Sequence, residues 1–272
     1  MKIIVPIDFT EISEPAIQHA LSFAKSAEQS ELILLHIIAK AGQEEEKKQQ
    51  LDVLSQKFRN AQVSISTQVK QGDIFNDIAA VAEEEKANFI VMGTHGAKGL
   101  QKLLGSYAIK VINSSKVPFI ITQKMQPSAG VNKIVLPVDL SKESLQIVKY
   151  ATFLAKEFNA EMHVVAKPVK DEFLAKTLNN NLSIVRKHLK ENNVSFELEV
   201  LEGAQSLQQE VIDYGAKHRA DLFAIAHFSD SLLPQFDTFS QDMITNKLEL
   251  PVLVISAKQV KAVTSTYSFI GI

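Results

Sequence analysis

Short apolar runs alternate along the whole chain with longer stretches in which apolar residues recur at helical spacing. Lys2–Ile7 reads as a buried strand, and Ser13-Glu14-Pro15 caps a helix that carries Ile17, Leu21 and Ala24 on one face. Leu32–Ile38 is a second apolar strand. The charged stretch Gln43–Asn60 is a largely solvated helix, and Val63–Val69 alternates as a strand near a sheet edge does. Ile74–Lys86 is an amphipathic helix with Ile78, Val81 and Ala82 turned inward. Phe89–Met92 and Phe119–Ile121 are buried strands that bracket a helix near Tyr107–Ser114. Strands that read as continuous apolar runs, each followed by a helix, imply a parallel sheet covered on both faces.

The pattern then occurs again. Ile4-Val5-Pro6-Ile7-Asp8-Phe9 returns 131 residues later as Val135-Leu136-Pro137-Val138-Asp139-Leu140, and Gly72 returns as Gly203 at the same separation. Ala87-Asn88-Phe89-Ile90-Val91-Met92-Gly93 returns as Ala220-Asp221-Leu222-Phe223-Ala224-Ile225-Ala226, now 133 residues apart. Val117-Pro118-Phe119-Ile120-Ile121 matches Leu250-Pro251-Val252-Leu253-Val254 at that same 133. Four matches in one order describe a tandem duplication. The second copy supplies strands at Lys133–Val138, Met162–Val165, Ser195–Val200, Leu222–Ala226 and Val252–Ile255. The expected fold is α/β: two tandem Rossmann-like five-stranded parallel sheets of order 3-2-1-4-5, with helices on both faces and pseudo-twofold symmetry. The expected domains are 1–125 and 132–272, joined by a linker at 126–131; the tail after Lys258 has no counterpart in the first copy.

Composition narrows the function classes. Apolar residues are 46% and charged residues 22% of 272, ordinary for a globular chain. The formal charge of −2 offers no basic excess for nucleic acid. No apolar run approaches the ~20 residues that cross a bilayer. The N-terminus lacks a signal-peptide layout, so a cytoplasmic protein is expected. Cysteine is absent, which removes disulfides, thiolate metal sites and Cys nucleophiles together. His163, His188, His218 and His227 lack the spacing of a zinc site, and neither Gly-x-Ser-x-Gly nor the P-loop pattern occurs. No catalytic or metal-ligating residue is assigned.

In a doubly wound sheet the ligand crevice opens beyond the carboxyl ends of the strands, where the winding direction reverses, between the first and fourth strands. Asp8 closes the first strand; Gly93-Thr94-His95-Gly96 follows the fourth, and Gly105-Ser106 precedes a helix. Glycines admit close backbone approach, a helix start favours phosphate oxygens, and a carboxylate suits ribose hydroxyls or a base amino group. Together these residues read as a nucleotide site. Two plainer roles stand beside that one: Asp8 as a turn or capping residue before Thr10 and Ser13, and His36 as a hydrogen-bonded core histidine.

These motifs resemble the universal stress protein family, whose members carry a strand ending in Pro-x-Asp, a second ending in Leu-His-Val, and a Gly-x-x-Gly stretch leading to Gly-Ser or Gly-Thr. The matching residues are Pro6-Ile7-Asp8, Leu35-His36-Ile37, Gly93-Thr94-His95-Gly96 and Gly105-Ser106. Eight residues separate Gly96 from Gly105, one fewer than the family spacing. The resemblance implies that Asp8 and the Ile37 backbone meet adenosine. It implies further that Met92, Gly93, Gly96, Gly105 and Ser106 line the ribose and phosphate path, with Pro6, His95 and Tyr107 also among the nucleotide-binding residues. The implied ligand is ATP or AMP, with Mg²⁺ as a candidate companion. The implied role is a nucleotide-dependent signalling or protective module in the stress response. A slow ATPase of the same fold and a scaffold without nucleotide are the alternatives. Family members pair, so the two copies are expected to pair within the chain, with homodimerisation a further option.

The second copy departs from the motif. Ala226, Ser229, Thr238 and Phe239 stand where Gly93, Gly96, Gly105 and Ser106 stand in the first. Asp139 is kept and the glycines are not, so this copy reads as a partner domain without a phosphate cradle.

Overall fold

The structure is a computed structural model that describes residues 1–26, 29–59, 62–94, 104–125, 127, 130–228 and 235–257, with only the backbone described for 104–107 and 235–237. The chain divides into two compact units, Met1–Gly130 and Val131–Ile272.

In the first unit the elements run β1 (Lys2–Pro6), α1 (Ser13–Ala24), β2 (Ser30–Ile38), α2 (Glu44–Lys57), β3 (Val63–Gln71), α3 (Ile74–Glu84), β4 (Phe89–Gly93), α4 (Leu104–Ser114) and β5 (Phe119–Thr122). The strands lie in the order β3-β2-β1-β4-β5, and every pairing is parallel. The central strands are apolar without interruption because helices cover both sheet faces. Ile3, Ile4, Val5, Leu32, Leu34, Ile90, Val91, Phe119, Ile120 and Ile121 are all fully buried or nearly so. Each large side chain buried this way contributes about 1.5–3 kcal/mol relative to exposure. β3 lies at the edge, paired with β2 alone within this order, and its polar residues Ser64, Ser66 and Gln68 fit that position.

The second unit runs β6 (Lys133–Pro137), a 3-10 turn at Glu143–Ile147, α5 (Val148–Phe158), β7 (Glu161–Ala166), α6 (Glu172–Glu191), β8 (Phe196–Val200), α7 (Leu207–His218), β9 (Leu222–Phe228), α8 (Gln235–Ile244) and β10 (Val252–Ala257). Its order, β8-β7-β6-β9-β10, repeats the first unit's arrangement strand for strand, again in parallel. The repeated glycines have a packing cause. A Cβ on Gly72 would stand 2.1 Å from Asp77 Oδ2, and one on Gly203 would stand 2.7 Å from the Glu210 carboxyl carbon. In each unit an acid of the following helix fills the space a side chain would take. In the first, Asp77 accepts the Asp73 amide at 2.7 Å while Asp73 caps α3 by accepting from the Phe75 and Asn76 amides.

The start of α1 differs from the capping expected there. Its N-cap position is Ile12 and carries no side-chain cap, and the Ser13 hydroxyl donates to Asp8 instead. The ionised carboxylate is the stronger acceptor within its reach. In the second unit the corresponding segment is wound as the 3-10 turn, and α5 begins only at Val148. Among the described residues, no helix is long and apolar enough to cross a membrane.

Candidate functional site

The chain reverses its winding direction at β1, which lies between β2 on one side and β4 on the other. Beyond Pro6 the chain makes one more bond to β2, from the Ile7 amide to the Leu35 carbonyl at 2.8 Å, and then turns away. β2 continues for three residues past its last β1 partner, so Ile37 is paired with Lys70 of β3. Pro6, Ile37, Met92 and Gly93 are half-buried around this end of the sheet, and Asp8 is exposed.

Asp8 is held by three donors converging on one oxygen. The Thr10 amide donates to Oδ1 at 2.9 Å, the Thr10 hydroxyl at 2.7 Å and the Ser13 hydroxyl at 2.9 Å. Partial burial works against the charge, but the Thr10 and Ser13 bonds outweigh it and the carboxyl sits below its ordinary pKa. Asp8 is therefore both a turn residue and an ionised, oriented acceptor just beyond the end of β1, where the winding reverses. The two readings of this residue do not exclude each other.

The next residue, Phe9, takes a left-handed backbone conformation with φ 60°. Such a conformation is disfavoured for a bulky residue and persists where its surroundings fix it. Here the Phe9 ring lies 4.8 Å from the His36 ring, and Lys47 of α2 places its ammonium 5.2 Å from the Phe9 centroid. His36 is anchored by a ring nitrogen 2.6 Å from the Ile7 carbonyl oxygen. It is the hydrogen-bonded, partly buried residue that its strand-end position suggested.

Gly93 ends β4 opposite Thr122 of β5. Its lack of a side chain is needed by α1: a Cβ there would stand 2.9 Å from the Ile12 carbonyl oxygen and 3.3 Å from Ala16 Cβ. Thr94 then donates its amide to the Thr122 carbonyl at 2.7 Å. His95 and Gly96 lie outside the described residues. Gly105, Ser106 and Tyr107 fall in the first turn of α4, whose backbone starts at Leu104.

The matching end of the second unit is closed by its own side chains. Asn181, buried in α6, donates to the Asp139 carbonyl at 2.9 Å. The Ser141 hydroxyl, counterpart of Thr10's, turns to Glu143 at 2.8 Å, and the Ser144 hydroxyl, counterpart of Ser13's, donates to the Ser141 carbonyl at 2.7 Å. Burial raises the Asp139 pKa above the ordinary value, despite hydrogen bonding by Ser144 and the Ser141 amide. His227 occupies Thr94's place and is fully buried, with a ring nitrogen 3.1 Å from the Ser240 hydroxyl.

Two of the histidines that look scattered in the sequence come together in this unit. The His163 and His218 rings lie 5.6 Å apart, with Tyr214 stacked on His218 and its hydroxyl 2.8 Å from His163. Burial, then nearby Glu199, Glu197 and Glu161, push the Tyr214 pKa upward. Among the described residues no group of three His, Asp or Glu side chains is arranged to hold a metal ion.

Sequence reasoning named Asp8 but set Thr10 and Ser13 against it as a plainer explanation; the structure makes all three one device. Their spacing, Asp-x-Thr-x-x-Ser, was the available signal. Asn181 carried none, because its role depends on where α6 crosses the end of β6.

Residues 1–123 match the family model described as the universal stress protein family. Two universal stress proteins of Methanocaldococcus jannaschii are similar in sequence. MJ0531 is 31% identical over an alignment of 144 residues that covers 45% of this chain and 82% of the relative. MJ0577 is 27% identical over 154 residues, spanning 94% of that relative. Among solved structures, a universal stress protein from Archaeoglobus fulgidus superposes with a TM-score of 0.72 at 18% identity, covering 94% of this chain and 98% of that one. A functionally unknown protein from Pseudomonas aeruginosa gives 0.65 over 94% of this chain and 92% of that one.

Proposed function

Because the chain belongs to the universal stress protein family, we propose that its first unit binds an adenine nucleotide, ATP or AMP, and that occupancy serves as a signal in the stress response. The single observation that carries this reading is Asp8. Its carboxylate is ionised, exposed and oriented by three donors at the strand end where a doubly wound sheet reverses. In this reading Asp8 accepts hydrogen bonds from the ribose hydroxyls or the base. The Ile37 backbone borders the adenosine beside Pro6, and Met92 and Gly93 lie on the ribose and phosphate path. His95, Gly96, Gly105, Ser106 and Tyr107 lie along the phosphate path, where the first turn of α4 offers amides without intrahelical partners and the positive end of the helix dipole. Mg²⁺ accompanies ATP by neutralising phosphate charge; the described residues supply no dedicated cage for it.

The second unit serves as a partner domain. Its strand ends are filled by Asn181 and His227, which favours a structural role over a second ligand site. Pairing of the two copies, with homodimerisation beyond it, belongs to the same proposal, as does a cytoplasmic location.

The test is the mass of any small molecule released on denaturing protein purified without added ligand, followed by equilibrium dialysis with ATP and AMP. Released or dialysable adenine nucleotide supports the proposal. Protein that is empty as purified and does not take up millimolar ATP or AMP removes it.

A further inference from the structure

Resting on that reading, we propose that Thr10 and Ser13 are positioning residues that clamp Asp8 through Oδ1 and reserve its other oxygen, Oδ2, for the nucleotide. A carboxylate oxygen has about two lone-pair sites, so three donors within 2.9 Å use Oδ1 completely. Oδ2 is the oxygen this clamp does not take. A single fixed acceptor at the strand end suits one face of a ribose or an amino group, and it needs no reorientation when the ligand arrives.

The second unit is an internal control. It has Ser141 and Ser144 at the matching positions, and the Ser141 amide donates to Asp139 Oδ1 at 2.8 Å as the Thr10 amide does to Asp8. Ser144 also bonds to Asp139 and to the Ser141 carbonyl, but the Ser141 hydroxyl turns away to Glu143. The two aspartates are shifted in opposite directions: Asp8 lies below its ordinary pKa and Asp139, under burial, above it. What the first unit adds to the bonds the two units share is the Thr10 hydroxyl at Asp8 Oδ1, where the Ser141 hydroxyl of the second goes to Glu143.

Other titratable and charged groups surround this end of the unit. His36 lies two residues before the end of β2, and Lys47 of α2 lies over Phe9. Glu11 pairs with Lys124 at 2.5 Å, and Glu14 of α1 pairs with Lys57 of α2 at 2.8 Å. A pH profile of binding alone would mix their titrations with that of Asp8, so the experiment reads Asp8 directly.

The full chain is prepared as wild type, Thr10→Val, Ser13→Ala, the double variant and Thr10→Ser. The Asp8 carboxyl is titrated by carbon-13 NMR, and ATP and AMP affinities are measured by equilibrium dialysis from pH 4 to 8. Circular dichroism checks the fold. If the double variant does not fold, the two single variants carry the test.

The clamp predicts that the Asp8 midpoint moves to higher pH in Thr10→Val and Ser13→Ala and furthest in the double variant. It predicts that Thr10→Ser restores the wild-type midpoint. Nucleotide affinity at pH 7 falls by roughly three- to tenfold in the double variant, the coupling expected within one hydrogen-bond network. An unchanged Asp8 midpoint and unchanged affinity in the double variant overturn the clamp while leaving nucleotide binding intact. Absence of binding by the wild type overturns the proposed function, and the NMR midpoint then decides the clamp by itself.

Discussion

The carboxyl ends of the two sheets began as the same structure and now do different things. Around Asp8 the side chains arrange a charged acceptor and leave it exposed; around Asp139 they cover it. The strands beneath are equivalent, with β1 paired to β2 and β4 as β6 is to β7 and β9. A duplicated α/β unit can thus rebuild the end of its sheet without touching its core, because the core depends on apolar strands and the sheet end on a few side chains placed after them. One buried asparagine from a longer second helix, α6 at 20 residues against α2 at 14, accounts for much of the closure.

The comparison can be broken first at Gly93. A side chain there meets the Ile12 backbone carbonyl, which cannot swing aside, so Gly93→Val is expected to lower stability by about 3 kcal/mol in urea unfolding. Its counterpart already bears a methyl group, and Ala226→Gly is expected to cost no more than about 1 kcal/mol. Next comes Asn181→Ala. Leaving the Asp139 carbonyl unpaired under α6 is expected to cost about 2 kcal/mol, measured in the same way. Nucleotide affinity should stay unchanged. A gain of nucleotide binding by that variant would show that the second unit is only plugged, and would blur the distinction drawn between the units.

Asp8→Asn sharpens the comparison from the ligand side. It keeps the shape and loses the charge, and it should weaken ATP or AMP binding by about tenfold, the lower end of what a hydrogen bond to a charged group supplies. Asp139→Asn should leave binding untouched, and equal effects at both positions would contradict the assignment of the site to the first unit.

The smallest expected effect concerns pH. Burial holds His19 of α1 below the usual histidine pKa, against the pull of the Met125 carbonyl 2.8 Å away. The unfolded chain then binds the proton more readily than the folded one, so stability falls as pH drops below about 6.5 and levels off once pH is below the folded value. Burial holds His188 of α6 down likewise, and both units should soften in acid. Asp8 contributes nothing in this window, because its depressed pKa supports stability above the unfolded carboxylate value and that support is lost only in stronger acid. Melting temperatures from pH 7.5 to 5 check this: His19→Gln should flatten the acid loss in part, and an unchanged slope would remove His19 as a source.

Much of this molecule could be read before any fold was known. The duplication followed from residues such as Asp8 and Asp139 or Gly72 and Gly203 recurring in order. The parallel sheet followed from runs such as Leu32–Leu35 and Phe119–Ile121 that have no polar face. Gly72 was noticed without its cause, since the acid that fills its space is five residues away and reaches it only through the turn of α3. Gly93 reads as a residue of close ligand approach; its contact with Ile12 and Ala16 is a second demand on it, which depends on α1 folding back over β4.

Local order in the chain therefore determined the elements, their repeat and the identity of Asp8 as the residue to watch. Periodicity and turn chemistry act between neighbours and leave their mark in the sequence. Only the tertiary structure decided that the Ser13 hydroxyl joins Thr10 on one oxygen of Asp8, and that Asn181 covers Asp139 from 42 residues away. The Thr10 bonds to Asp8 are local and were written in the spacing, whereas the Asn181 contact depends on where α6 crosses the end of β6. That position is set by packing summed over the whole core, and no short stretch of residues encodes it.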